Sequence, residues 1–162
     1  MEESENIKII KLEPKDWQIY KAIRLEALRM EPYAFNSKYQ DVLTKPDSFW
    51  IDELSDESKI YLFATVSDEV VGTMNVSFNE NNIKYEAVIH GAYVNISHRR
   101  KGIGKQLLTS LLEEVKKRGD VTTAKLWVKG SQIKARKFYE YMGFSVVDKD
   151  DKNTLIMEKS LR

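Results

Sequence analysis

The apolar positions of this 162-residue chain change period along its length, and each change marks a predicted element. IKIIKL (7–12) is a short β-rich run. Trp17, Tyr20, Ile23, Leu25, Ala27 and Leu28 then recur near helical spacing, with Asp16 as the expected cap. Pro32 and a group of aromatics interrupt that helix, and KPDSFWIDELS (45–55) predicts a second, shorter one. From Lys59 the pattern turns to strands. KIYLFATV (59–66) and VVGTMNVSF (70–78) flank SDE as a hairpin, NENN (79–82) is the next turn, and KYEAVIHGAYVNI (84–96) is a third long strand.

Helical spacing returns with Ile103, Leu107, Leu108, Leu111, Leu112 and Val115 on one face, and Gly119 as the expected stop. TAKLWVKG (123–130) is a strand. A helix is predicted from a Ser131 cap to Gly143, and FSVV (144–147) with TLIMEKS (154–160) closes the chain. The order β-α-α-β-β-β-α-β-α-β-β is a mixed α/β fold with an antiparallel middle. It departs from the strict alternation of a dinucleotide-binding sheet.

Composition narrows the class. The length is that of a single domain, 1–162, with residues 1–6 expected to be loose. A net charge of +1 gives no bulk attraction to nucleic acid or to a membrane surface, so any basic site must be local. The absence of cysteine excludes a disulfide framework and a thiol nucleophile. His90 and His98 lack partners at metal-ligand spacing, so no metal is expected. The opening residues lack an apolar secretory core and no run reaches the roughly 20 residues of a membrane span, so a cytoplasmic protein is expected.

The chemistry concentrates in RRKGIGKQLL (99–108), where Arg99, Arg100 and Lys101 lead into Gly102, Gly104 and a leucine-rich helix. Cations in a first helical turn oppose the helix dipole. A bound di-anion would reverse that sign and use the free N–H groups; the plainer reading is a loop glycine beside a solvated basic helix end. A dinucleotide fingerprint fails because its third glycine would fall at Leu107, and a phosphate-binding P-loop fails at Arg99 and Gln106.

AYVNISHRRKGIGKQLLTSLLEEV resembles the acyl-CoA-binding motif of the GNAT N-acetyltransferases, whose signature [R/Q]-x-x-G-x-[G/A] is met by Arg99 to Gly104. LWVKGSQIKARKFYEYMGF (126–144) is similar to the family's later strand, helix and closing segment, and RLEALRMEPYAFNSKY (24–39) resembles its front helices. The resemblance implies the GNAT fold with a splayed central strand pair, acetyl-CoA as acyl donor, and an amine of a small molecule or peptide as acceptor. Pairs are common in the family, so the resemblance allows a homodimer and leaves the oligomeric state open.

Carried over residue by residue, Ala92, Tyr93 and Val94 would hold the pantetheine arm and thioester by strand addition beside a bulge. Arg99 opens the signature, and the backbone N–H groups of Arg100, Lys101, Gly102, Ile103, Gly104 and Lys105 would hold the diphosphate. Gln132 stands where many members carry an asparagine that bonds the cofactor. Tyr139 takes the place of the phenol that protonates the leaving thiolate. Its alternative role is packing.

Two positions depart from the pattern. Trp127 and Val88 occupy strand positions where different members carry a glutamate base. By alternation Glu86, Val88, His90, Ala92 and Val94 share one face, leaving Glu86 and His90 as base candidates beside a water relay. Tyr33, Phe35 and Tyr39 lie in the segment that walls the acceptor cleft in the family, where packing is the competing role. The missing glutamate keeps open a second reading, an acyl-CoA-binding or regulatory module with weak catalysis.

Overall fold

The structure is a computed structural model that describes residues 6–78, 80 and 83–162. The looseness expected of residues 1–5, and residues 79, 81 and 82 of the expected turn, lie outside the described residues.

The chain runs β1 (Ile7–Ile10), α1 (Trp17–Met30), α2 (Tyr39–Leu43), α3 (Asp47–Ser55), β2 (Lys59–Val66), β3 (Glu69–Phe78) and β4 (Glu86–Val94). It continues through α4 (Ile103–Lys116), β5 (Thr123–Lys129), α5 (Ile133–Tyr141), β6 (Ser145–Lys149) and β7 (Thr154–Ser160). Seven strands form one mixed sheet in the order β1-β2-β3-β4-β5-β7-β6. Only β4 and β5 run parallel, joined by the crossover through α4.

The predicted order holds, with one addition. The five-residue α2 lies in the segment where Pro32 and the aromatics masked a helical period. Asp16 occupies the N-cap position of α1 as expected, but its carboxylate accepts from the Glu13 amide at 3.3 Å and makes no cap bond to the helix. Gln132, not Ser131, occupies the cap position of α5. The SDE hairpin is as expected: Ser67 and Asp68 both have positive φ, the geometry that matches a two-residue turn to strand twist.

Each sheet face buries its own core. On one side α4 presents Leu107, Leu108, Leu111 and Val115 to Val76, Met74, Leu126 and Met157, all fully buried. Each such leucine contributes about 1.5–3 kcal/mol by leaving water. The opposite side is aromatic: Tyr20 of α1 meets the Trp50 ring of α3 edge-on at 5.2 Å, with Phe63 and Tyr61 beneath. α4 is thereby fixed against the sheet while its entrance, at residue 103, faces the splayed end.

Candidate active site

The β4 strand carries an irregularity that shapes the site. Thr73 pairs with Tyr93 and Asn75 with His90, so Gly91 and Ala92 together stand against Met74 alone. This is a bulge, and Gly91 holds it with φ of 64°. A Cβ at Gly91 would lie 2.7 Å from Asn75 Nδ2, so glycine is required by both backbone and space. The extra residue reverses the side-chain alternation. Tyr93 joins the aromatic core on the α1 side, whereas Ala92 and Val94 pack against the α4 side. The single face expected for Glu86, Val88, His90, Ala92 and Val94 is therefore broken after His90.

On its other edge β4 pairs with β5 only from Glu86 to Val88, against Thr123 to Lys125. Beyond that the two strands part and leave backbone without a sheet partner. The wedge opens into a cavity of about 680 Å³. Ile89 to Ala92 line it from β4 and Leu126 to Lys129 from β5; Gln132 at the cap of α5, Ala135 and Tyr139 on that helix, and Arg24, Phe35 and Ser37 complete the lining.

The sequence-predicted residues divide clearly. His90, Ala92, Gln132, Phe35 and Tyr139 all line this cavity. Glu86 does not: it sits at the closed end of the wedge, with its carboxylate 3.9 Å from the Lys125 ammonium. Tyr33 is 78% exposed, and Tyr39 packs against the aromatic core. Tyr139 is buried, and burial alone pushes its phenol up to about 12, so it stays protonated at neutral pH.

Glu80 is a site residue that the sequence did not single out. Its Oε2 lies 2.7 Å from His90 Nε2 and accepts the Ser77 hydroxyl at 2.6 Å. Partial burial pushes the carboxyl up, but the bonds from Ser77 and His90 outweigh it and hold the group below the usual glutamate range. An ionised Glu80 fixes the proton of neutral His90 on Nε2 and leaves Nδ1 as the acceptor. The imidazole stacks on Trp127 at 6.5 Å with an interplanar angle of 11°. Trp127 thus supports His90 from β5.

The entrance of α4 is adjacent in the chain to β4. Gly102 takes the N-cap position with φ of 79°, and Arg100 is also left-handed at 64°. The first amide to find a carbonyl inside the helix is Gln106, which donates to Gly102 at 3.0 Å. The amides of Ile103, Gly104 and Lys105 belong to the first turn, whose N–H groups have no carbonyl inside the helix, and no acidic side chain lies in that turn. A Cβ at Gly102 would meet no protein atom within 4 Å, whereas one at Gly104 would touch the Phe138 ring edge at 3.6 Å. The entrance is open, electropositive backbone of the kind that receives phosphate oxygens.

Side chains of the signature do other work. The Arg99 guanidinium pairs with Glu31 and donates from Nε to the Val94 carbonyl at 2.9 Å, tying the motif to the end of α1. Asn95 donates to Glu26 at 3.2 Å and caps the following turn through Ser97. Ile103 belongs to the core, and the Lys105 ammonium lies 3.5 Å from the Tyr141 hydroxyl.

The sequence profile described as the Acetyltransferase (GNAT) family matches residues 20–144, from α1 through the end of α5. This chain is a member of the GNAT acetyltransferase family. No curated protein sequence matches it. Among solved structures it is similar to a PaiA N-acetyltransferase from Thermoplasma acidophilum in complex with coenzyme A, with 23% identity, TM-score 0.79 and coverage of 96% of this chain and 99% of that one. A GNAT-family acetyltransferase from Streptococcus pneumoniae superposes with TM-score 0.82 at 18% identity, covering 97% of this chain and all of that one. The ribosomal-protein-S18-alanine N-acetyltransferase of Escherichia coli gives TM-score 0.69 at 21% identity, covering 96% and 94%. The splayed β4–β5 pair and the open α4 entrance are thus set in a GNAT fold. Among the described residues, no helix is long and apolar enough to cross a membrane.

Proposed function

We propose that the chain transfers the acetyl group of acetyl-CoA directly to an amine bound in the same cavity. The observation that carries this reading is convergence: the unpaired β4 edge, the imidazole of His90 and the phenol of Tyr139 all border one space. The residues fit the donor. The amides at the α4 entrance, from residue 102 to 105, would hold its diphosphate, the free edge of β4 beyond the bulge would pair with its pantetheine arm, and Gln132 offers an amide in the lining of the same cavity. Acetyl-CoA supplies the activated thioester carbonyl.

The side chains supply the protons' destinations. His90 accepts a proton from the attacking amine at Nδ1, and the Glu80 carboxylate stabilises the imidazolium that results. Tyr139 donates its phenolic proton to the departing sulfur, a role that a hydroxyl still protonated at neutral pH can fill. A backbone N–H of β4 near Val94 would polarise the carbonyl oxygen. The amine attacks after its ammonium has released one proton to solvent. Its second proton passes to His90 and the phenolic proton to sulfur, and the imidazolium proton returns to the phenolate through solvent to reset the site.

The test is release of free thiol from acetyl-CoA in the presence of a panel of amines, repeated with Tyr139→Phe. Turnover that falls with the loss of the hydroxyl supports the reading. Tight acetyl-CoA binding with no transfer to any amine would identify a binding module instead.

A further inference from the structure

Arg24 stands at an unusual place for a cation. On α1 it follows Tyr20 and Ile23 and precedes Ala27 and Leu28, all four of them buried, so helical spacing turns it inward. Its Nη1 is buried and has no hydrogen-bond acceptor among the described residues. Phe35 covers one face of the guanidinium, with Cζ 4.9 Å from the ring centroid. On the cavity side Nη1 approaches the β4 bulge, lying 3.8 Å from where a Cβ of Gly91 would stand.

The nearby carboxylates are otherwise engaged. Glu31 is held by Arg99, Glu80 by His90 and Ser77, and Asp150 by the backbone amides of Lys152 and Thr154. Glu53, beneath the aromatic core, takes the Tyr61 hydroxyl and the Lys59 ammonium. Burial draws the Arg24 guanidinium below its ordinary range. Leaving a buried donor unpaired destabilises the folded chain, and more so for a charged group. A ligand that completes the guanidinium removes that cost on binding.

We propose that Arg24 binds a carboxylate on the acceptor, and that the acceptor is an amine with a carboxylate a few bonds from its nitrogen, as in an amino acid. This rests on the acetyl-transfer reading for the identity of the amine, but the carboxylate site itself does not. His90 and Gly91 are consecutive, so the proton acceptor and the guanidinium flank the same bulge. A zwitterion would place its ammonium toward the Glu80–His90 pair and its carboxylate on Arg24. The rigid fork of a guanidinium suits the two oxygens of a carboxylate, and the Phe35 ring holds that fork in plane.

Equilibrium binding of amino acids and of the corresponding amino acid amides to the coenzyme A-loaded chain tests the proposal by calorimetry. The free acids should bind at least about tenfold more tightly than their amides, as expected for a charge-assisted pair. Arg24→Gln should level the two series, and Arg24→Lys should restore part of the difference. Equal binding of acids and amides to the native chain, failure of every acid to bind, or a preference that survives Arg24→Gln overturns the proposal. The native comparison needs no variant, so a folding defect in Arg24→Gln cannot obscure it. Thiol release separates the two readings. Acid-selective binding without thiol release sinks acetyl transfer and leaves the carboxylate site, whereas release with amides as good as acids does the reverse.

Discussion

His90 Nε2 and Glu80 Oε2 lie 2.7 Å apart across the β3–β4 turn, and the same oxygen holds the Ser77 hydroxyl at 2.6 Å. The carboxylate is therefore anchored from β3 while it orients an imidazole on β4. Such a pair acts as a unit. If His90 is the proton acceptor, Glu80 matters only while His90 is present. Replacing His90 by Gln should lower kcat by about 100-fold, and Glu80→Gln by about tenfold. The double variant should be no slower than His90→Gln alone. Additive losses measured by steady-state kinetics would show that the two groups act independently.

Tyr139 allows a test that reads chemistry and titration together. Phenylalanine fills the same buried space between Phe138 and Phe144, so the fold should tolerate Tyr139→Phe while kcat falls by about 100-fold. The phenol also links stability to pH. Its folded-state value, about 12, lies above the ordinary 10.0, so the folded chain keeps a proton that the unfolded chain releases. That stability is complete below pH 10 and is lost as pH rises toward about 12. Burial raises Tyr20, Tyr61 and Tyr93 as well, so the alkaline slope is shared. Urea unfolding between pH 9 and 12 should show a shallower decline for Tyr139→Phe than for the native chain.

The bulge makes a separate prediction about stability. An alanine at Gly91 must adopt a left-handed φ and push against Asn75 Nδ2. The conformational part alone costs about 1–2 kcal/mol. Gly91→Ala should thus lower the unfolding midpoint in urea and, by shifting β4, reduce kcat. Asn75→Ala in the same chain should recover part of the stability, because it removes the atom in the way. No recovery would mean that the backbone conformation carries the whole cost.

How much of this was legible in the sequence depends on whether a residue's neighbours are local. The α4 face was readable because Leu107, Leu108, Leu111 and Val115 meet the sheet at strict helical spacing, and all are fully buried. The β4 face was not: the resemblance implied a bulge and Gly91 is a residue that marks one, but strict alternation carried through that glycine ignores the extra residue that exchanges inside for outside. Glu80 lay in an expected turn, where a carboxylate ordinarily faces solvent, and its bond to His90, ten residues away on β4, has no local sequence signal. Arg24 did carry a signal. It shares a helical face with Tyr20, Ala27 and Leu28, and a cation on an apolar stripe is either paired or waiting for a ligand. The cap of α5 shifted for a different reason: Ser131 and Gln132 are adjacent, and one-residue shifts at a helix start lie below what composition resolves.

The entrance of α4 supports one more test, in which stability and binding can be told apart. Gly102 is left-handed, and a Cβ built there meets no protein atom within 4 Å. Gly102→Ala therefore costs the folded chain only the backbone strain, about 1–2 kcal/mol. Any further effect must come from something that occupies the open space. If the amides from residue 102 to 105 hold the diphosphate, a methyl group at Gly102 stands between phosphate oxygens and backbone. Coenzyme A affinity should then fall by at least about tenfold, ~1.4 kcal/mol, while kcat at saturating donor changes little. Dephosphorylated pantetheine, which has no diphosphate to lose, should bind the native chain and Gly102→Ala equally. An undiminished coenzyme A affinity in Gly102→Ala, measured by calorimetry, would place the diphosphate away from this helix.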